Sequence, residues 1–367
     1  MRSALLESAL PVAALAAALL LFGGFVWLGG ASPVETWTIL FKGAFGDWFS
    51  WQNTLQRAAP LMLTALCVAL PARAGLIIIG GEGAVVLGGL AAAALPYALP
   101  LPGNALGSAL VCIAGMIVGG AWIALAGALR QYRGVNETIS SLLLAYTAIA
   151  IFKQLVEGPL RDPKTLNKPS TRSLVEALQI GGIAGSDVHW GLVLGVVACL
   201  GLGVWLALTA SGFSVRVVGG NPRTAQLVGL PASRLILLTC ALGGAAAGLA
   251  GAVEVAAVHT NANASLIAGY GYAGILVAFI ARQNPFAIIP VAILFGGFGA
   301  AGSLLQRRLG LPDASVQVLQ GIAFVLILAS ESLRGVDWAA FATKLRQRSM
   351  PEPESGPARG PIAGEAA

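Results

Sequence analysis

Three carboxylates stand within or at the edge of long apolar runs: Glu82, Glu137 and Glu254. A charge held at the centre of a bilayer is unfavourable by about 2.5–3.5 kcal/mol, so each needs a partner or an aqueous cavity. Such acids line a path for a solute, or they pin helices together through hydrogen bonds. Glu82 and Glu137 also suit the first turn of a helix, where the macrodipole favours an anion. Other chemistries lack their residues. Cys67, Cys112, Cys199 and Cys240 are widely spaced inside apolar segments, and His189 and His259 make no cluster. Zinc ligation, disulfides and a Ser–His–Asp triad are therefore unsupported. None of the five lysines follows a glycine, so a Walker A phosphate cradle is missing. No metal or cofactor is expected on this chain, and any ATP it depends on must be bound by another.

The elements that position these groups follow from composition. The 367 residues are 57% hydrophobic and 10% charged, with a mean hydropathy of +0.81. A water-facing domain carries roughly 25% charged residues, which excludes a soluble enzyme. Residues 8–34, 83–129, 188–215, 235–253, 255–281 and 283–306 contain no Asp, Glu, Lys or Arg. About 20 such residues span a bilayer. The expected fold is all-α, a polytopic membrane protein of about ten transmembrane helices. They are read at Ala9–Leu28, Ala58–Ala72, Leu76–Leu95, Ala105–Leu129, Thr138–Val156, Trp190–Ala210, Leu235–Val258, Tyr272–Ala281, Phe286–Leu305 and Ala314–Ser330. The membrane domain covers 1–335, with external loops at 29–57 and 157–188. A Pro- and Gly-rich tail, 336–367, is expected to be cytoplasmic and largely disordered.

With the N-terminus inside, Arg73, Arg130, Arg133, Arg216, Arg223, Arg234 and Arg282 fall on the cytoplasmic side, as the positive-inside rule asks. The pair Arg307–Arg308 falls on the opposite face with Lys42 and Arg57, against the rule. Either the last hairpin is irregular or the count is off by one segment. The net charge of +6 is spread over these loops, without the aromatic-interleaved stripe of a nucleic-acid binder. Gly80, Gly81 and Gly83 surround Glu82, and Gly269, Gly271 and Gly274 lie near the start of the eighth segment. Glycine-broken segments at corresponding places hint at two related halves around a mid-membrane site.

The polar loop 211–234 is the most informative connection. Asn221 can cap a short helix with Pro222 at its first position, and Gly229 can end it. A short helix in a basic loop suits either force transfer from a soluble partner or simple interfacial anchoring.

Four ordered stretches carry a resemblance: Arg73-Ala74-Gly75 through Gly80-Gly81-Glu82-Gly83, Arg133-Gly134-Val135-Asn136-Glu137-Thr138-Ile139-Ser140, Val218-Gly219-Gly220-Asn221-Pro222-Arg223-Thr224-Ala225, and Gly269-Tyr270-Gly271-Tyr272-Ala273-Gly274-Ile275. Over about residues 35–335 the chain resembles permease subunits of bacterial ABC importers. The similarity is to the nucleoside and simple-sugar branch, related to branched-chain amino-acid permeases. It departs at Ile77–Ile78, where relatives usually have Phe-Asn.

The resemblance implies a bacterial inner-membrane permease with both termini cytoplasmic, working with a second permease subunit (a homologous chain or a second copy), an ATP-binding cassette subunit and an external substrate-binding protein. It places ATPase coupling on Arg216, Gly220, Asn221, Pro222, Arg223 and Gly229. Stretches 41–46 and 158–163 look more like nucleoside than ribose permeases, which points to nucleoside import, with simple sugars as the alternative. An ion-coupled secondary transporter acting alone is the rival of a different class. Candidate path-lining groups are Glu82, Asn136, Tyr146, Glu254, Asn261, Tyr270 and Tyr272. Tyrosines suit a flat base or a sugar face, and equally suit a membrane interface.

Overall fold

A computed structural model describes residues 2–332 except 166 and 313, with side chains placed over 13–330. The tail read at 336–367 lies outside the described residues. Those residues form thirteen α-helices and no β-strand. They are α1 (Arg2–Leu28), α2 (Pro33–Phe45), α3 (Trp48–Arg73), α4 (Gly81–Ala98), α5 (Ala105–Arg133), α6 (Glu137–Glu157), α7 (Gly191–Leu208), α8 (Ala210–Gly220), α9 (Pro222–Leu227), α10 (Ala232–Val253), α11 (Tyr270–Ile280), α12 (Pro285–Leu309) and α13 (Ala314–Ser332). A π-helical turn, Glu254–His259, prolongs α10.

Seven of these are long and apolar enough to cross a membrane, and an eighth span is broken, α1 and α2 meeting at 120°. Two shorter apolar helices, 264–280 and 314–330, complete ten positions that coincide with the ten segments read from the sequence. Helix α3 is central: it packs against α4, α7, α10, α11 and α12, and is buried almost throughout from Ala58 to Pro71. Helix α10 is wedged between α3, α4 and α5. Glycines set that spacing. A Cβ at Gly248 would lie 2.1 Å from the Gly115 carbonyl oxygen, and one at Gly88 would lie 2.4 Å from the Gly248 Cα.

Three expectations are corrected. The stretch read as an external loop, 29–57, is mostly helix. Ser32 Oγ accepts from Glu35 N at the start of α2, Pro33 occupies its first position, and its buried side lies on α12. The third segment does not begin at Leu76: residues 76–79 are non-helical, and α4 starts at Gly81 and runs through Pro96. Residues 211–220, read as polar loop, belong to α8. The short helix α9 is as expected, with Asn221 Oδ1 accepting from Arg223 N (3.0 Å) and Thr224 N (3.2 Å), and Gly229 at φ 82°. Arg307 and Arg308 line one pocket with Lys42, together with Glu35 and Asp47.

The long stretch after α6 is stitched to the end of α10. Ile180 N donates to the Ala256 carbonyl (2.9 Å), Leu174 N to Thr260 (2.7 Å), and Thr171 N to Ala262 (3.0 Å).

Candidate functional site

Residues 74–80 form a non-helical connection between α3 and α4, whose backbone finds partners outside itself. Those partners come from the other three stretches singled out in the sequence. At one end, Gly75 has φ 84° and packs on Gly219 of α8, where a Cβ on Gly219 would fall 2.1 Å from the Arg73 carbonyl oxygen. Arg73 Nε also donates to the Gln283 carbonyl (3.0 Å), tying α3 to the α11–α12 turn. In the middle, Thr138 Oγ1 donates to the Ile77 carbonyl (3.0 Å) and Ser141 Oγ accepts from Ile79 N (3.2 Å). Both side chains sit in the first turns of α6, which Asn136 caps by accepting from Thr138 N and Ile139 N. Glu137 pairs with Arg130 at 3.3 Å.

At the far end Glu82 is fully buried in the first turn of α4. Its Oε1 accepts from Gly269 N (2.8 Å) and its Oε2 from Gly271 N (2.6 Å). Two helix N-termini, α4 and α11, thus converge on one carboxylate, whose charge offsets both positive ends. The approach needs glycine: a Cβ at Gly271 would stand 2.1 Å from Glu82 N. The two glycine-broken segments meet here.

Beside this junction lies a cavity of about 500 Å³. Its polar lining comes from Arg57 of α3, Tyr270 and Tyr272 of α11, and Gln317 and Gln320 of α13, and its apolar lining includes Leu61, Phe295 and Phe324. Tyr270 and Tyr272 are the two sequence candidates that line it. Glu82 stands behind them and holds the backbone that carries them. Asn136 is committed to its cap. Tyr146 lies on the exposed side of α6. Glu254, 4% exposed at the start of the π-helical turn, stands 3.6 Å from His259 Nε2. Asn261 accepts from Asn263 Nδ2 (2.7 Å) and lies toward Ser173. Arg57, Gln317 and Gln320 were missed in the sequence. The signal was present, since Gln317 and Gln320 sit one turn apart in an otherwise apolar helix.

Of the residues read for coupling, Arg216 on α8 lies over the Phe213 ring at 5.9 Å, and Asn221, Pro222 and Arg223 start α9. Gly220 ends α8 with open space around it, and Gly229 follows α9. The end of this helix shows Leu227 and Val228, 88% and 68% exposed.

His189, just before α7, is buried, and among the described residues neither ring nitrogen has a hydrogen-bond partner. Burial pushes its pKa below the ordinary value by disfavouring the charged form. The neutral ring therefore contributes stability that is present above the unfolded-state value, about 6.5, and is lost as pH falls through the folded-state value. Amide exchange of residues 180–192 should accelerate on acidification below that range, and His189→Leu should flatten the dependence. An unchanged pH profile in His189→Leu would count against this role.

The sequence profile of a family described as branched-chain amino acid transport system / permease component matches residues 50–328. The glucose ABC transporter permease protein TsgB13 of Haloferax volcanii is 31% identical over 332 residues, covering 88% of this chain and 87% of that protein. The nucleoside ABC transporter permease protein NupB of Lactococcus lactis is 28% identical over 82% of this chain and 85% of its own length. The guanosine ABC transporter permease protein NupP of Bacillus subtilis is 26% identical, with 84% and 89% covered.

Proposed function

From the premise that this chain belongs to the permease-component family of branched-chain amino acid transport systems, we propose that it forms the translocation path of an ATP-driven nucleoside importer. The observation that carries the reading is the cavity beside the α4–α11 junction. Two tyrosines offer apolar ring faces with one hydroxyl each, and Gln317, Gln320 and Arg57 offer donors and acceptors for ribose hydroxyls and base edges. Relatives named for guanosine and nucleoside transport support that class. A simple sugar is the second reading, favoured by the 31% identity to a permease named for glucose.

In this proposal no bond of the solute changes. ATP is held and hydrolysed by a separate ATP-binding cassette subunit that docks on α8 and α9, where Leu227 and Val228 offer an apolar tip and Arg216 and Arg223 offer charge. Motion of α8 passes through the Gly219–Arg73 contact to α3 and the 74–80 connection, and so to Glu82, α11 and its tyrosines. A second permease subunit closes the open side of the cavity. A substrate-binding protein delivers solute on the face of residues 157–188. The chain then lies in the bacterial cytoplasmic membrane with α9 on the inner side and both termini there. Glu254, Asn261 and Tyr146 belong to the walls and the outer end of the same path.

The test is uptake by the reconstituted complex with labelled guanosine and labelled glucose, with and without ATP. Guanosine uptake should require ATP, and Arg223→Glu should abolish it in folded protein. Tyr272→Ala should weaken half-saturation by roughly three- to tenfold, the value of one lost aromatic contact. Preference for glucose would transfer the proposal to sugars. Transport without ATP by this chain alone would overturn it in favour of the secondary transporter.

A further inference from the structure

A shallow, widely open groove that shares no residue with the cavity above runs between α5 and α10. Its walls are apolar: Ala121, Leu125 and Ala128 on α5, with Leu238 and Ala241 on α10. Small side chains recess the groove, while Leu125 and Leu238 stand out at its rims, more than a third exposed. One end, on the α9 side, is not apolar. There Arg234 lines the groove, exposed, and among the described residues it makes no hydrogen bond or ion pair. The first turn of α10 holds no acid to neutralise it. Two further arginines end α5 on the same side, Arg130 and Arg133, and only Arg130 has an acidic partner, Glu137. A hydrogen bond from Gln131 Nε2 to Ser233 Oγ (2.9 Å) ties the two helices at this mouth, so the groove is fixed at its charged end.

An apolar trough about two helical turns long, ending at the uncompensated guanidinium of Arg234, matches a molecule with an acyl chain and an anionic head. A soluble anion would satisfy Arg234 and leave the trough empty. A neutral lipid would fill the trough and leave the arginine without a counter-charge. We propose that the α5–α10 groove is a binding site for an anionic phospholipid of the leaflet on the α9 side. Its acyl chain lies along the alanine-floored trough, and its phosphate is held by Arg234.

The experiment uses the complex purified with its natural partners, delipidated and reconstituted in nanodiscs of equimolar phosphatidylglycerol and phosphatidylcholine. Native mass spectrometry then counts the lipids retained on this chain. Phosphatidylglycerol should be retained in preference to phosphatidylcholine, and Arg234→Gln should reduce that preference about fivefold, the effect of one cation near a phosphate. Ala121→Trp, on the exposed side of α5, should exclude the acyl chain and remove the retained lipid. Elution and melting temperature unchanged from wild type show that both variants fold. Equal retention of the two lipids, an unchanged preference in Arg234→Gln, or full retention in Ala121→Trp would each overturn the assignment. Loss of the retained species on adding inorganic phosphate alone would also overturn it, because the trough would then contribute nothing.

Discussion

Glu82→Leu should destabilise the folded chain by about 3 kcal/mol or more and abolish uptake, because two buried backbone donors lose a charged acceptor, each such bond contributing about 1.5–3 kcal/mol. The donors are Gly269 N and Gly271 N, at 2.8 and 2.6 Å from the carboxylate. With leucine there, the N-terminus of α11 faces the N-terminus of α4 with nothing between two positive helix ends. Tyr270 and Tyr272 ride on that first turn, so their positions go with it. Glu82→Gln keeps one acceptor oxygen but turns an amide N–H₂ toward the other donor, and should lose roughly half as much. Thermal unfolding of the detergent-purified chain, with ATP-driven uptake on the same preparations, makes the measurement. Wild-type melting and transport in Glu82→Leu would refute the pinning role. Gly271→Ala approaches the same contact from the other side and should act in the same direction.

The second large effect is expected at Gly248, where α4, α5 and α10 meet. A Cβ there would fall 2.1 Å from the Gly115 carbonyl oxygen and 3.0 Å from the Gly119 Cα. The obstructing atoms are backbone, so no side chain can turn aside. Gly248→Leu should force α5 and α10 apart and lower stability by about 3 kcal/mol, the upper part of the ordinary range for overpacking. Gly201 on α7 is the control, with nothing within 4 Å of its Cβ position. Gly201→Leu should leave melting unchanged. Equal behaviour of the two variants would show that close glycine packing does not hold this interface.

The contrast between those glycines marks how far sequence reading reaches. The ten apolar segments were legible because charge-free runs of spanning length have few other uses. The cap, first turn and end of α9 were legible because Asn221, Pro222 and Gly229 each have a local geometric reason. Helix α2 was missed although Ser32-Pro33-Val34-Glu35 has the S-x-x-E spacing of a capping box, its signal hidden among interface tryptophans. Helix α8 was missed because its serines and glycines read as loop, whereas Gly212 and Gly219 are small to let backbone pass. The break at 76–79 could not be read locally, since Leu76-Ile77-Ile78-Ile79 is as apolar as a helix. Its hydrogen bonds come from Thr138 and Ser141, more than 60 residues away. The tyrosines of the cavity were visible as polar residues in an apolar run. The role of Glu82 was open until its partners, 187 and 189 residues on, were known.

That separation sets a clock on biosynthesis. Glu82 enters the membrane region long before its partners exist, because 189 residues must still be made before Gly271 appears. At 5–20 residues per second the interval is roughly 10–40 s. For that time the carboxylate waits without its final hydrogen bonds, whereas the backbone of 76–79 meets Thr138 and Ser141 after only some 60 residues. Only when the chain reaches α11 does its middle close.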